Sequence, residues 1–172
     1  TIRVLDFSSV VMLATFQALQ KRELGKRNRP PIFAEIDTTS SHEPWTRIPP
    51  FIPWNRLGNG SIFDRLPIDR AGLTDTQQGY ARSIEYSLRT LYSFIARYGT
   101  KKTVLIVLGD HQPSRVIEQA NHEVPTTIIA HDPRVIRRLS SWGWTNGMLP
   151  SPTAPVWLMS AFRNRFLNAF DH

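Results

Sequence analysis

Residues 104–114 read "VLIVLGDHQPS", an apolar run that stops at Gly109 and sets Asp110 beside His111. Five consecutive aliphatic residues, entered from Thr103 and bounded by glycine and proline, predict a strand over 103–108 of the kind buried on both faces in a parallel sheet. Any glycine or proline would end such a strand. An acid and a histidine placed there are costly to bury without an occupation, because each needs a partner once it leaves water. Ligands of open α/β sheets sit outside the carboxyl ends of the strands, where this pair falls.

The pattern around this strand alternates helical and extended segments. Ser8 or Ser9 is set to cap a helix to about Leu24, with Met12, Phe16 and Leu19 on one face and Gly25 as its stop. Ile32 to Ile36 reads as a short strand that runs into the polar turn "DTTSSHEP". From Thr46 to Leu73, prolines and glycines exclude long regular elements, so this stretch is a lid over a site or a wrap on the surface.

Thr74 and Gln77 have capping-box spacing, and Tyr80, Ile84, Leu88, Leu91, Ile95 and Tyr98 recur at intervals of three and four before Gly99. That stripe is core rather than a ligand box. "VPTTIIA" (124–130) predicts another strand, "PRVIRRLSSWG" (133–143) a helix, and Pro155 the start of a last helix carrying Leu158, Phe162, Phe166 and Phe170. The fold class expected is α/β, a mainly parallel sheet flanked by helices in one domain over 1–172.

Composition narrows the function classes. The 172 residues hold no cysteine, which removes disulfide scaffolds, thiolate zinc sites and cysteine nucleophiles. The formal charge of +7 is carried partly by "KRELGKRNR" (21–29), "RVIRR" (134–138) and "RNR" (163–165). Basic clusters of this size are first of all solvated helix ends, and they also suit anionic lipid or phosphorylated partners. No zinc-finger or RNP-type stretch points to specific nucleic-acid binding. The chain opens on Thr1 and directly on the strand-like "IRVLDF", which reads as part of a longer protein.

Asp110 and His111 offer a carboxylate oxygen and an imidazole nitrogen that can converge on one Mn²⁺ or Zn²⁺ where the backbone turns. The alternative is an aspartate that caps the next element, with His111 as its packed or exposed neighbour. His42 in "TTSSHEPW" also follows a predicted strand, among hydroxyls suited to phosphate or sulfate oxygens. Such a histidine can steady an oxyanion or pass a proton to a leaving group, or simply bond the backbone of its own turn. His122, His131 and His172 have no comparable context.

In this order, "FAEIDTTSSHEPW", "YARSIEYSLRTLYSFI" and "VLIVLGDHQP" resemble the C-terminal half of the sulfatase-like enzymes of the alkaline phosphatase superfamily. The likeness is to the lipoteichoic acid synthase and phosphoglycerol transferase branch, over roughly residues 32 to 131. It implies an alkaline phosphatase-like sheet and a divalent metal (Mn, Zn or Mg) held partly by Asp110 and His111. His42 would contact the transferred group or the leaving oxygen, as a catalytic and substrate-binding residue.

The family places a Thr nucleophile and a further acidic ligand well upstream of the His turn. Before residue 32 the acids are Asp6 and Glu23, and neither precedes a nucleophile motif. The chain is therefore expected to be the C-terminal part of a catalytic domain, inert by itself and a weak metal binder. The implied substrate is a phosphate or sulfate ester, lipid- or glycan-linked, and the implied place is the extracytoplasmic face of a bacterial membrane, reached through the longer protein. The competing expectation is a non-catalytic basic module that docks to anionic lipid or glycan. On the enzyme reading, His42, Asp110 and His111 line one crevice, with Thr46 to Leu73 beside it and Trp45 or Trp54 at its rim.

Overall fold

The computed structural model describes residues 30–42, 45, 48–57, 62, 77–113, 117 and 121–171. The predicted helix to Leu24, Thr74 of the expected capping box, the basic stretch 21–29 and His172 lie outside them. The chain divides into two compact units: residues 1–98 with 113–118, and residues 99–112 with 119–172. Among the described residues its architecture is mixed, with helices and one small sheet.

In the first unit, helix α1 runs over Gln77–Tyr98. The boundary at Tyr98 follows the expected glycine stop, since Gly99 opens the next segment. The most deeply buried stripe is Gly79, Ser83, Tyr86, Thr90 and Phe94, one position away from the stripe of large apolar residues. Tyr80, Ile84, Leu88, Leu91, Ile95 and Tyr98 are only half-buried. Small side chains on a helix let another segment approach closely, and this one is approached by the irregular stretch that follows the His turn. Ile52 and Leu57 meet Tyr86 in a core joined by Ile48, Phe51, Trp54 and Ile62.

Polar and aromatic contacts fasten the same stretch. Trp54, in the 3-10 turn Trp54–Arg56, donates its indole N–H to Ser93 Oγ at 3.1 Å. Its ring lies against Phe94 and Tyr98, and the Arg89 guanidinium covers Phe51 at 4.6 Å. Of the two roles foreseen for this segment, its described residues show a wrap along α1.

The predicted strand at Ile32–Ile36 does not form. Residues 30–38 have no regular structure, and Phe33 is 92% exposed. A strand is held by a ladder partner, and no described segment supplies one here.

In the second unit, strands β1 (Val104–Leu108) and β2 (Thr126–Ala130) form a two-stranded sheet. They pair antiparallel, Val104 opposite Ala130 and Leu108 opposite Thr126. This departs from the parallel neighbour expected for β1. A parallel partner needs a crossover packed on the sheet, whereas an antiparallel one needs only that the chain return, as it does between Leu108 and Thr126. β1 is also less covered than its all-aliphatic sequence implies, with Val104 and Leu108 exposed at its ends.

After β2, helix α2 (Pro133–Arg138) starts from Asp132, whose Oδ1 accepts from the Arg134 N–H at 2.9 Å, with Pro133 in the first turn. The predicted helix over 133–143 is thus shorter, continuing as a 3-10 turn at Ser140–Trp142 and closing on Gly143 at φ +72°. Left-handed backbone there favours glycine. Helix α3 spans Met159–Phe170, four residues later than Pro155 would start it.

Two predictions concern these anchors. Trp45 is 1% exposed and its ring lies tilted against Tyr80 at 5.2 Å, so Trp45→Ala should cost about 3–5 kcal/mol in urea unfolding, the range for truncating a buried tryptophan. The Asp132 carboxyl is pulled from 3.8 down to about 2, first by the Arg134 side-chain hydrogen bonds and then by its backbone N–H. A depressed folded value makes its contribution complete above the ordinary carboxylate range and lost as pH falls through about 2. The acid limb of thermal stability between those values should flatten in Asp132→Ala.

Candidate functional site

His42 follows the 3-10 turn Thr39–Ser41 and is exposed. The turn is tied from within, Ser41 Oγ donating to Thr38 O at 3.3 Å. It is tied from below by Trp45, whose indole N–H donates to Ser41 O at 2.9 Å. With that indole packed on Tyr80 of α1, the tryptophan that ends the "SSHEPW" sequence anchors the segment presenting His42. Trp45 is therefore a buried pillar rather than a rim residue.

Asp110 and His111 stand at the end of β1, in the second unit. His42 belongs to the first unit. Gly109 makes the approach to the pair: its N–H donates to Pro125 O at 3.2 Å, and a Cβ at this position would lie 3.3 Å from Val124 Cβ. A side chain would crowd the returning loop just before the site.

The pair is solvent-exposed, His111 by 64% and Asp110 by 88% of their side chains, so the burial cost anticipated from the sequence does not arise. Local hydrogen bonds orient it instead. Asp110 Oδ1 accepts from the His111 backbone N–H at 3.0 Å, which leaves Oδ2 facing the ring. His111 Nδ1 lies 2.6 Å from Gln112 O. A carbonyl only accepts, so Nδ1 carries the proton and the neutral ring presents its Nε2 lone pair. Nε2 and Asp110 Oδ2 are 3.5 Å apart.

That spacing has two uses. With His111 protonated it is an ion pair, the partner anticipated for an Asp110 without a cation. With His111 neutral, two lone-pair donors stand side by side. Ligands each about 2.1 Å from one tetrahedral ion are about 3.4 Å apart, so Asp110 and His111 fit as two of its ligands. Fixing the far ring nitrogen with a backbone carbonyl is the usual way a metal-binding imidazole is oriented. Among the described residues no group of three or more His, Asp or Glu side chains gathers to complete such a site.

One neighbour was not legible in the sequence. His122 Nδ1 reaches Gln112 Oε1 at 3.4 Å, a long contact that links it to the residue orienting His111. Read as parallel, the strands give no reason for residues 121–125 to lie beside 109–112. The antiparallel register, Leu108 opposite Thr126, returns them there. Gln112 Nε2 is buried and has no hydrogen-bond partner among the described residues.

No described helix is long and apolar enough to cross a membrane. Compared with known proteins, the chain matches no family model, no curated protein and no solved structure.

The tight passage at Gly109 yields a prediction. Gly109→Ala should push Val124 away from the end of β1 and cost about 1–3 kcal/mol, the scale of overpacking. Its signature should be a shift of the His111 and Gln112 NMR resonances larger than that at residues of α3.

Proposed function

We propose that this chain is the C-terminal part of a sulfatase-like catalytic domain that transfers or hydrolyses phosphate or sulfate esters with a divalent metal. The observation that carries the reading is the pairing of Asp110 Oδ2 with His111 Nε2 at 3.5 Å, with Nδ1 locked on Gln112 O. It is the bite of two metal ligands, at the end of a strand, directly after a glycine that admits a close turn. The "TTSSHEPW" turn adds a second histidine held on a buried tryptophan.

Asp110 and His111 would hold the ion, which supplies Lewis-acid stabilisation of the ester oxygens and activates a hydroxyl nucleophile. Asp110 contributes a charged oxygen and His111 a neutral nitrogen whose proton is kept on the far side of the ring. His42, exposed on its turn, would donate a hydrogen bond or proton to the transferred group or the leaving oxygen. The nucleophile and the remaining ligands belong to the upstream part of the longer protein.

The sheet is consistent with that incompleteness. Mixed sheets often carry an antiparallel strand at the edge of an otherwise parallel array, and β2 fits that place. The other edge of β1, aliphatic throughout and without a described neighbour, would then receive the parallel strands of an alkaline phosphatase-like core. The lipoteichoic acid synthase and phosphoglycerol transferase branch, acting on lipid- or glycan-linked esters outside the cytoplasmic membrane, is the setting that the sequence motifs favour.

The test uses the full-length protein. Asp110→Asn and His111→Ala should each lower turnover of a nitrophenyl phosphate, phosphodiester or sulfate by more than the ~10–100-fold that outer partners of a metal site contribute. Chelation should abolish the activity and Mn²⁺ or Zn²⁺ restore it. His42→Ala should lower kcat with little change in metal affinity. Activity indifferent to all three substitutions and to chelator overturns the reading.

A further inference from the structure

In the second unit, exposed large apolar side chains gather in one stretch, at Leu149, Val156, Leu158, Met159 and Leu167. Leu158 is 78% exposed and Val156 64%. Single exposed aliphatics need no explanation, but a run of them beside charged groups marks a contact surface.

The backbone turns these side chains outward. Leu158 is extended, at φ −61° and ψ 132°. Side chains alternate along an extended segment, so Val156 and Leu158 share one side. Trp157, between them, turns the other way and packs on Trp142 and Trp144. Helix α3 begins directly afterwards, and Met159, Arg163 and Leu167 recur at every fourth residue, one exposed stripe. Its half-buried stripe is Phe162, Phe166 and Phe170, in successive ring contact. The indole and phenyl rings thus fix the two segments that hold the aliphatic side chains out.

The charge around them has one sign. Between Asp132 and Asp171 the sequence contains arginines and neither Asp nor Glu. Arg163, within the exposed stripe, donates to the neutral Asn164 Oδ1 at 3.3 Å, and Arg165 lies over the Trp157 ring at 4.4 Å. Neither is paired with a carboxylate among the described residues.

Protein interfaces surround their apolar core with a polar rim, commonly of both charge signs, whereas an anionic bilayer offers hydrocarbon beneath a uniformly negative surface. The second pattern matches protruding aliphatics beside unopposed arginine. Half-exposed indoles at Trp142, Trp144 and Trp157 add the residue type that favours the headgroup boundary. No spanning helix is needed, since an interfacial segment enters only ~5–10 Å.

We infer that this face docks on an anionic phospholipid bilayer, with Val156, Leu158, Met159 and Leu167 entering the acyl boundary and Arg163 on a lipid phosphate. The docking is independent of the metal-site reading and needs no divalent ion.

Flotation of the chain with vesicles of phosphatidylcholine, alone or in equal parts with phosphatidylglycerol, tests the assignment in the presence of chelator. Affinity for the anionic vesicles should exceed that for the neutral ones at least about tenfold and fall as salt is raised. Val156→Ser combined with Leu158→Ser should lower it at least about tenfold with unchanged thermal unfolding. Leu158 is the N-cap of α3, a position that serine favours, so the helix is preserved. Arg163→Ser should cost about fivefold and weaken the salt dependence. Phe33→Ser, at an exposed apolar residue of the first unit, should bind as the unaltered chain does. If the double variant fails to fold, Leu158→Ser alone and Arg163→Ser decide. The inference is overturned by absence of flotation, by equal binding to both vesicles, or by serine variants that float undiminished. It is also overturned if Phe33→Ser is as damaging as Leu158→Ser, or if light scattering shows a lipid-free dimer that Leu158→Ser dissociates.

Discussion

The antiparallel ladder between β1 and β2 is the constraint on which the second unit depends. Its register places Gly109 against Val124 and Pro125, and so fixes the point at which the chain leaves the sheet. From that point Asp110 and His111 orient each other through bonds that any solvated turn can make. The residues that return along the ladder bring His122 to Gln112 and continue through Asp132 into α2. A slip of one residue would turn every side chain of β2 to the opposite face. The site-bearing loop is thus positioned by backbone pairing more than by burial, which is why an exposed acid and histidine still hold a defined separation.

The first unit solves a different problem. Its helix buries small residues, Gly79, Ser83 and Thr90, beside Tyr86 and Phe94, and a proline-rich stretch packs on the helix at Tyr86, Ser93 and Phe94. Proline lowers the entropy lost in ordering such a stretch, since its φ is already fixed in the unfolded chain. Tryptophans then supply most of the grip: Trp45 under the His42 turn and Trp54 across the Ser93–Phe94 end of the helix. Aromatic side chains combine large buried area with one directional N–H, which suits pinning irregular backbone.

Local signals in the sequence carried the elements that depend on local physics. The long helix ended at its glycine, both aliphatic strands formed within a residue or two, and the helix expected from Pro133 opened there. What depended on partners was harder to read. Ile32–Ile36 has strand composition, yet composition cannot provide a neighbouring ladder. β1 looks like a doubly buried strand because its residues are aliphatic, whereas parallel or antiparallel pairing is decided by the connection. Asp110 and His111 were legible as a pair because they are adjacent; the link to His122 was not, since it arises only from register. Trp157 lies 13 residues beyond Trp144, across an irregular stretch, so its clustering with Trp142 and Trp144 could not be seen before the backbone brought them together.

That clustering has an optical consequence. The five tryptophans divide between the units, Trp45 and Trp54 in the first and Trp142, Trp144 and Trp157 in the second. The latter three stand with ring centroids 5.1 to 5.7 Å apart, Trp142 at 69° and 78° to the other two and Trp144 at 33° to Trp157. Indoles so close and so oriented couple their transition dipoles, giving the second unit an exciton couplet in circular dichroism. The first unit contains two indoles, each packed against a tyrosine or phenylalanine rather than another indole. The two halves of the molecule thus carry distinguishable spectroscopic labels, and the loss of the couplet times the opening of one half without any added probe.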